Sequence, residues 1–325
     1  MSARIRIGMA LALSVLAADA LAAPKKATPS PPLPEPAPRS AENTGDIAYA
    51  AFQRGYYLTA LAEAQKRVEA NGDPKAMTLI GVIYAGGFGV GQDDAKAIEW
   101  YSKAAERGDR EAMFSLAMMR LSGRGGPRDR DEAARLFASA AKLGQPVAAY
   151  NLGLFYLEGM QFPRDFGRAA ELFRQASEGG NREAQYALAI MYKEGRGVPK
   201  DEKEAARLLG LAALAEHLDG QVEYAIALFN GTGIAKDEAA AIQLLRKAAR
   251  RGAPVAQNRL ARLLASGRGM PENPQEAIKW HLVSKAAGAS DPFLDDYMAK
   301  QSEEVRNAAR KEADPWLFII ANSRT

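Results

Sequence analysis

The amino-acid sequence predicts an all-α protein: a superhelical solenoid of six 36-residue helix-turn-helix repeats, with an N-terminal capping hairpin and a C-terminal capping helix. Three observations predict it. A pattern with a period of 36 residues begins at Ala76 and continues through six units without a gap. Each unit places apolar residues four positions apart, on one side of a helix. Each unit also has a glycine just after that stripe, where helices commonly end.

Residues 1–22 have the composition of a cleavable export signal. Two arginines precede an apolar run at positions 7–18, and the Ala-Leu-Ala sequence at positions 20–22 supplies the small residues that signal peptidase requires. We expect cleavage before Ala23. A membrane anchor is the alternative, but the run is well short of the ~20 residues that cross a bilayer.

Residues 23–45 are rich in proline, with seven prolines between Pro24 and Pro38. Proline lacks a backbone N–H and fixes φ, so such a segment does not enter the interior of a helix or sheet. We therefore predict a disordered linker. A ligand for a proline-binding domain is a second interpretation of the same composition.

Residues 46–72 carry a shorter helical pattern ahead of the repeats. Ile47 to Asn71 predicts two helices that turn at Gly55, since glycine suits a sharp turn between helices. We expect this hairpin to cap the first repeat.

Residues 73–288 contain the repeats, and the first helix of each has a fixed set of columns. Counting the leading alanine as position 0, position 4 is apolar and position 5 is always glycine or alanine. The small residue allows a second helix to approach closely. Position 11 is glycine in every repeat, which suits left-handed backbone at a helix end: Gly87, Gly123, Gly159, Gly195, Gly231 and Gly267.

An aspartate or asparagine precedes the second helix of every repeat. Such a side chain accepts hydrogen bonds from unpaired N–H groups of the first turn. With a glutamate three residues later, Asp129, Asp201 and Asn273 predict capping boxes. The six residues are Asp93, Asp129, Asp165, Asp201, Asp237 and Asn273. Apolar residues at offsets of 3, 4, 7 and 8 then make one buried face, as with Ala97 and Tyr101.

Residues 289–325 follow the last repeat, and the 36-residue pattern stops there. Asp295 to Lys311 predicts a capping helix. Pro315 to Ile320 predicts an apolar tail that packs on that helix.

These columns resemble the Sel1-like repeat, a relative of the tetratricopeptide repeat. The family pattern is A-x-x-x-L-G-x-x-Y-x-x-G-x-G, followed by D, A, W, A-A and G. The first unit, AMTLIGVIYAGGFGVGQDDAKAIEWYSKAAERG, fits it almost position for position. The resemblance covers about two thirds of the chain. It implies a curved superhelix in which each repeat contacts its neighbours, and a role as an interaction scaffold. Bacterial relatives are often exported.

The composition argues against several kinds of chemistry. The chain has no cysteine, which excludes disulfides, thiol catalysis and cysteine-ligated zinc. Neither histidine belongs to a metalloprotease motif, and His281 occupies a second-helix position filled elsewhere by Tyr101 or Phe137, which predicts packing. The net charge of +4 is too small and too evenly spread to favour nucleic acid. We expect no cofactor, no bound metal and no enzymatic activity.

A second apolar face of the first helices is the candidate binding site. Positions 2, 6 and 9 point away from the second helix, at 100° per residue, and line the concave groove of a tetratricopeptide-like superhelix. They are Phe114, Met118, Leu121, Tyr150, Leu154, Leu157, Tyr186, Ile190, Ile226 and Phe229, with Glu158 and Glu194 beside them. An exposed apolar stripe predicts a binding surface with aromatic anchors. Alternatively, a tight superhelix buries these side chains against each other.

The export signal and the family resemblance together imply an exported scaffold that binds a protein or peptide partner in an envelope complex or signalling pathway. The periplasm as its location is what the resemblance implies. We expect no stable membrane insertion after signal cleavage. The alternative is an enzyme or small-ligand-binding protein of cell-wall metabolism, since a site assembled across repeats would leave no local motif.

Overall fold

The computed structural model describes residues 46–322, which form sixteen helices and no strand. The predicted export signal and linker lie outside the described residues. The helices are α1 (Ile47–Gln53), α2 (Tyr57–Asn71), α3 (Pro74–Gly86), α4 (Asp94–Glu106), α5 (Arg110–Ser122), α6 (Arg130–Lys142), α7 (Pro146–Glu158), α8 (Phe166–Glu178), α9 (Arg182–Glu194), α10 (Glu202–Leu214), α11 (Leu218–Asn230), α12 (Glu238–Arg250), α13 (Pro254–Ser266), α14 (Pro274–Ala286), α15 (Pro292–Ala299) and α16 (Glu303–Asn322).

Helices α3 to α14 form six successive pairs, which confirms the predicted repeat solenoid. Each helix contacts its partner within the pair, and each second helix also contacts the first helix of the next pair. The small residue at position 5 explains the close approach within a pair. A Cβ on Gly81 would lie 2.6 Å from the Tyr101 ring, and one on Gly153 would lie 2.6 Å from the Phe173 ring.

The glycine at position 11 ends each first helix in left-handed backbone, as predicted. The six φ values lie between 63° and 77°. The glycine two residues later has a different role, because it touches the start of the preceding repeat's second helix. A Cβ on Gly233 would collide with the carbonyl oxygen of Glu202, and one on Gly197 with that of Phe166. The turn of one repeat thus packs directly on the backbone of the previous one.

The residue before every second helix accepts a hydrogen bond from the backbone of the first turn, as predicted. The reciprocal half of the predicted capping boxes is wrong. The backbone N–H of Asp129, at 2.9 Å, and those of Asp201 and Asn273, at 3.0 Å, donate to carbonyl oxygens of the preceding first helix. Glu132 pairs instead with Arg120, at 2.8 Å. These backbone bonds join the end of each first helix to the start of the second.

The N-terminal hairpin has the predicted form. Helices α1 and α2 meet at Gly55, whose φ is 81°. The Asp46 carboxylate caps α1 by accepting from the N–H of Tyr49 at 3.0 Å. Arg67 on α2 pairs with Asp46 at 2.5 Å and also with Asp73, the cap of α3. An ion pair and apolar packing therefore both hold the hairpin against the first repeat.

The C-terminal segment differs from the prediction. The expected helix from Asp295 to Lys311 is two helices, because the Ser302 hydroxyl caps a new one by accepting a backbone N–H at 3.3 Å. The expected tail is the end of α16, which continues through Pro315. Its Trp316 ring lies 5.3 Å from that of Trp280 on α14. The apolar residues thus pack on the last repeat, and this contact supports a helix that proline would otherwise interrupt.

Candidate functional site

The predicted binding residues lie on four successive first helices, α5, α7, α9 and α11. We name the apolar ones the first-helix stripe: Phe114, Met118, Leu121, Tyr150, Leu154, Leu157, Tyr186, Ile190, Ile226 and Phe229. Eight of them are partly buried. Leu121 and Phe229 are only 6% and 8% exposed, because they share core clusters with Ala133 and Ala241 of their second helices. These two residues at position 9 are therefore less accessible than helical geometry alone predicts, whereas Leu157 at the same position is partly exposed.

The aromatic side chains of the stripe pack on rings beneath them. Tyr150 lies 5.5 Å from Phe173 on the second helix of its own repeat. Tyr186 stacks on His217 at 4.6 Å, at the start of the next repeat. Each ring thus has one face held by the protein while the side chain stays partly exposed. The two alternatives drawn from the sequence are both partly realised, since these residues contribute to packing and also keep accessible surface.

The two carboxylates beside the stripe differ in their surroundings. Glu158 pairs with Arg130 at 2.5 Å. Glu194 is 3.5 Å from Arg196, a longer and weaker contact. Both carboxylates are exposed. Glu194 is consequently the less neutralised of the two predicted charges.

Four carboxylates lie near the tyrosines in the middle of the stripe. Glu223 pairs with Lys193 at 2.6 Å and Glu183 with His217, which leaves Asp219 and Glu194 as the less compensated charges. Burial, together with the nearby carboxylate of Glu183, raises the pKa of Tyr150 to about 12. Burial also raises the pKa of Tyr186, and the carboxylates of Asp219, Glu223 and Glu194 raise it further. Negative charge near a phenol disfavours the phenolate, and the same charge favours a cation placed beside the ring.

His217 has a structural role that the sequence did not reveal. Its Nδ1 accepts the backbone N–H of Gly220 at 3.0 Å, so it caps α11 where four other repeats use Asp, Asn or Gln and the sixth has Ala253 without a side-chain cap. With Nδ1 accepting, the proton is on Nε2, which donates to Glu183 at 2.7 Å. That hydrogen bond lowers the pKa of Glu183. The side chain that supports Tyr186 is thereby fixed at both ring nitrogens.

His281 is fully buried, which confirms the predicted packing role. Its Nε2 contacts the Asp295 carboxylate at 2.8 Å, between α14 and α15. Lys285 and then His281 lower the pKa of Asp295 through hydrogen bonds. Across residues 46–322, no group of three or more histidine, aspartate or glutamate side chains is arranged to hold a metal ion. None of the sixteen described helices is both long and apolar enough to span a bilayer.

Comparisons with known proteins identify the repeat. The model of the Sel1 repeat matches residues 74–109, 110–145, 146–181, 182–217, 218–252 and 254–288. No curated protein matches the sequence significantly.

Two solved structures share this architecture. A protective antigen of uropathogenic Escherichia coli strains, displaying an SLR fold, is 27% identical, with a TM-score of 0.69 over 85% of this chain. The match spans 61% of that antigen's length. A Sel1 repeat protein from Oxalobacter formigenes is 26% identical, with a TM-score of 0.62 over 80% of this chain and 99% of that one.

The six matched segments follow the helix pairs from α3/α4 to α13/α14, each starting at or beside the first residue of a first helix. They cover well over half of the chain. The chain belongs to the Sel1 repeat family.

Proposed function

We propose that this protein is a scaffold that binds a segment of a partner protein along the first-helix stripe. Sel1 repeat proteins generally act as scaffolds for protein–protein interactions. The observation that carries the proposal is the stripe itself, which presents partly exposed apolar side chains on four successive first helices. Apolar side chains that are exposed together on one face mark interaction sites on soluble proteins.

The stripe is suited to binding because its anchors are already ordered. Tyr150 and Tyr186 are held by Phe173 and His217, so little side-chain entropy is lost when a partner covers them. Ordered aromatic side chains are frequent sources of binding energy. The carboxylates near Tyr186 favour a basic residue on the partner, chiefly through the rate and specificity of association.

We also propose that the protein is exported and acts in the periplasm, within an envelope complex or signalling pathway. The support is the N-terminal sequence, in which two arginines, a short apolar run and an Ala-Leu-Ala site stand in the order of a signal peptide.

Lysine substitutions on the stripe should separate binding from folding. Alanine at Tyr150 or Tyr186 would remove packing as well as an anchor. Lysine at Leu154 and Ile190 instead keeps an aliphatic stem and adds a charge at its end. We expect the double variant to capture at least tenfold less partner from an envelope extract, with unchanged helix content and a melting temperature within a few degrees of the parent.

The matched control places the same charges on the other side of a repeat. Leu211 and Leu214 on α10 are 37% and 82% exposed, and their lysine variants should capture as the parent does. Equal capture by both variants would contradict the proposed site. Mass spectrometry of this protein, isolated from the envelope of cells that express the full sequence, tests export. The mature chain should begin at Ala23, and an intact Met1 form would contradict cleavage.

A further inference from the structure

A cavity of about 280 Å³ lies where the first-helix stripe reaches the end of the solenoid. Ile226 and Phe229 of the stripe line one side, and Phe293 of α15 lines another. Three arginines, Arg259, Arg262 and Arg268, also line it, together with Asn230, Leu245, Leu263 and Ser266. Apolar surface and guanidinium groups thus meet in one concave site, which is the usual composition of a pocket that orients a polar group.

The arginines arise from a change in the repeat pattern. Position 6 of the first helix is Met118, Leu154, Ile190 and Ile226 in the second to fifth repeats, and it is Arg262 in the sixth. Arg259 lies three residues earlier on α13, so both side chains lie on the same face of that helix. The apolar stripe therefore ends in positive charge.

The three guanidinium groups are not equivalent. Arg262 forms two hydrogen bonds with the Asp291 carboxylate, at 2.5 and 2.7 Å, and lies over the Phe293 ring at 5.2 Å. Its charge is compensated within the protein. Arg268 lies over the Phe229 ring at 4.9 Å. Within residues 46–322, neither Arg268 nor Arg259 pairs with a carboxylate.

Two uncompensated cations beside an apolar floor define the complementary ligand. Arginine binds carboxylates through paired, charge-assisted hydrogen bonds. The carboxylate at the end of a chain would supply one negative charge. Two aspartate or glutamate side chains would supply two, which matches the two positive charges of Arg259 and Arg268. Phe229 and Phe293 add apolar surface beside the arginines.

We propose that this cavity binds a pair of acidic side chains in a segment of the partner protein whose apolar residues lie on the first-helix stripe. The inference rests on the proposed function and deepens it. The less compensated charges then differ along the binding surface, from Asp219 and Glu194 near Tyr186 to Arg259 and Arg268 in the cavity. A segment with basic residues at one end and acidic residues at the other would bind in a single direction.

Selection from a random decapeptide library displayed on phage tests the inference without knowledge of the partner. The full chain is compared with the double variant Arg259→Gln/Arg268→Gln, whose side chains are exposed. Arg128→Gln/Arg250→Gln is the matched control, because it removes the same charge from exposed positions outside the cavity. We expect acidic pairs among the selected peptides for the parent and the control, but not for the cavity variant.

Fluorescence anisotropy with the selected peptides measures how much the acidic pair and the two arginines contribute to binding affinity. Replacing the acidic pair by asparagine or glutamine, or the two arginines by glutamine, should weaken binding at least tenfold, and more strongly at low salt. Peptides selected without acidic preference, or bound equally by the cavity variant, would overturn the inference and leave the proposed function standing. Failure to select any peptide would count against both. Efficient displacement by inorganic phosphate at millimolar concentration would identify a phosphoryl site and overturn the carboxylate assignment.

Discussion

Replacing Gly233 with alanine should destabilise the solenoid by about 2–5 kcal/mol, which is a large effect for a single methyl group. The φ of Gly233 is 70°, where a Cβ costs about 1–2 kcal/mol. The added Cβ would also collide with the backbone of Glu202 at the start of α10. Because that obstacle is backbone, relief requires a shift between the fourth and fifth repeats, at a further cost of about 1–3 kcal/mol.

Gly252 provides the control for backbone conformation alone. Its φ is 87°, and nothing lies within 4 Å of an added Cβ. Gly252→Ala should therefore cost about 1–2 kcal/mol. Urea unfolding followed by circular dichroism should show a clearly lower midpoint for the Gly233 variant. Equal midpoints for the two variants would show that Gly233 does not pack against the backbone of Glu202 in the preceding repeat.

Replacing Asp291 with alanine should cost about 2 kcal/mol and release the C-terminal helices. This carboxylate is 3% exposed. It accepts hydrogen bonds from Arg262, Asn258 and the backbone N–H of Phe293. Because Arg262 is about half exposed, the loss comes mainly from the hydrogen-bond donors that the removed carboxylate leaves unsatisfied. Hydrogen exchange should become faster in α15 and α16, while the first repeats stay protected.

The same carboxylate predicts a defined dependence on pH. Burial alone would raise the pKa of Asp291, but the hydrogen bonds from Arg262 and Asn258 outweigh it and lower the pKa from 3.8 to about 2. A carboxyl group with a lowered pKa stabilises the fold above its unfolded pKa. That contribution should be complete above about pH 4 and lost as the pH falls toward 2.

The exposed neighbour Asp296 serves as the control for Asp291. Asp296→Ala should change the free energy of unfolding by less than about 0.5 kcal/mol. The difference in stability between parent and Asp291→Ala should shrink from pH 5 to pH 2. A constant difference, or equal effects of the two substitutions, would contradict the assigned role.

The sequence was sufficient to predict the repeats because each column has one dominant physical cause. Glycine at position 11 is needed for left-handed backbone, and a small residue at position 5 is needed for helix contact. The caps of the first helices were missed because they vary among Asp, Gln, Asn and His, and His217 does not look like a cap. The helix through Pro315 was missed because its support comes from Trp280, which is distant in sequence.

The candidate site was predicted less completely than the fold. Helical periodicity identifies the face on which Tyr150 and Tyr186 lie, but it does not show which neighbouring ring supports each one. It also overestimates the exposure of Leu121 and Phe229, because their burial depends on contacts with the second helix that helical periodicity does not reveal. The cavity at Arg259 requires α15, which lies outside the repeat pattern.

Site-specific photo-crosslinking tests most directly whether a partner lies on the first-helix stripe. A benzophenone derivative of phenylalanine at position 150 or 186 keeps an aromatic ring where the stripe has tyrosine. The same group at Tyr56, which is 53% exposed on the N-terminal hairpin, or at Leu214 on α10, reports on other surfaces. We expect the same covalent partner adduct at positions 150 and 186, and no adduct at 56 or 214. Adducts at position 214 or 56 without any at 150 and 186 would show that the partner binds elsewhere.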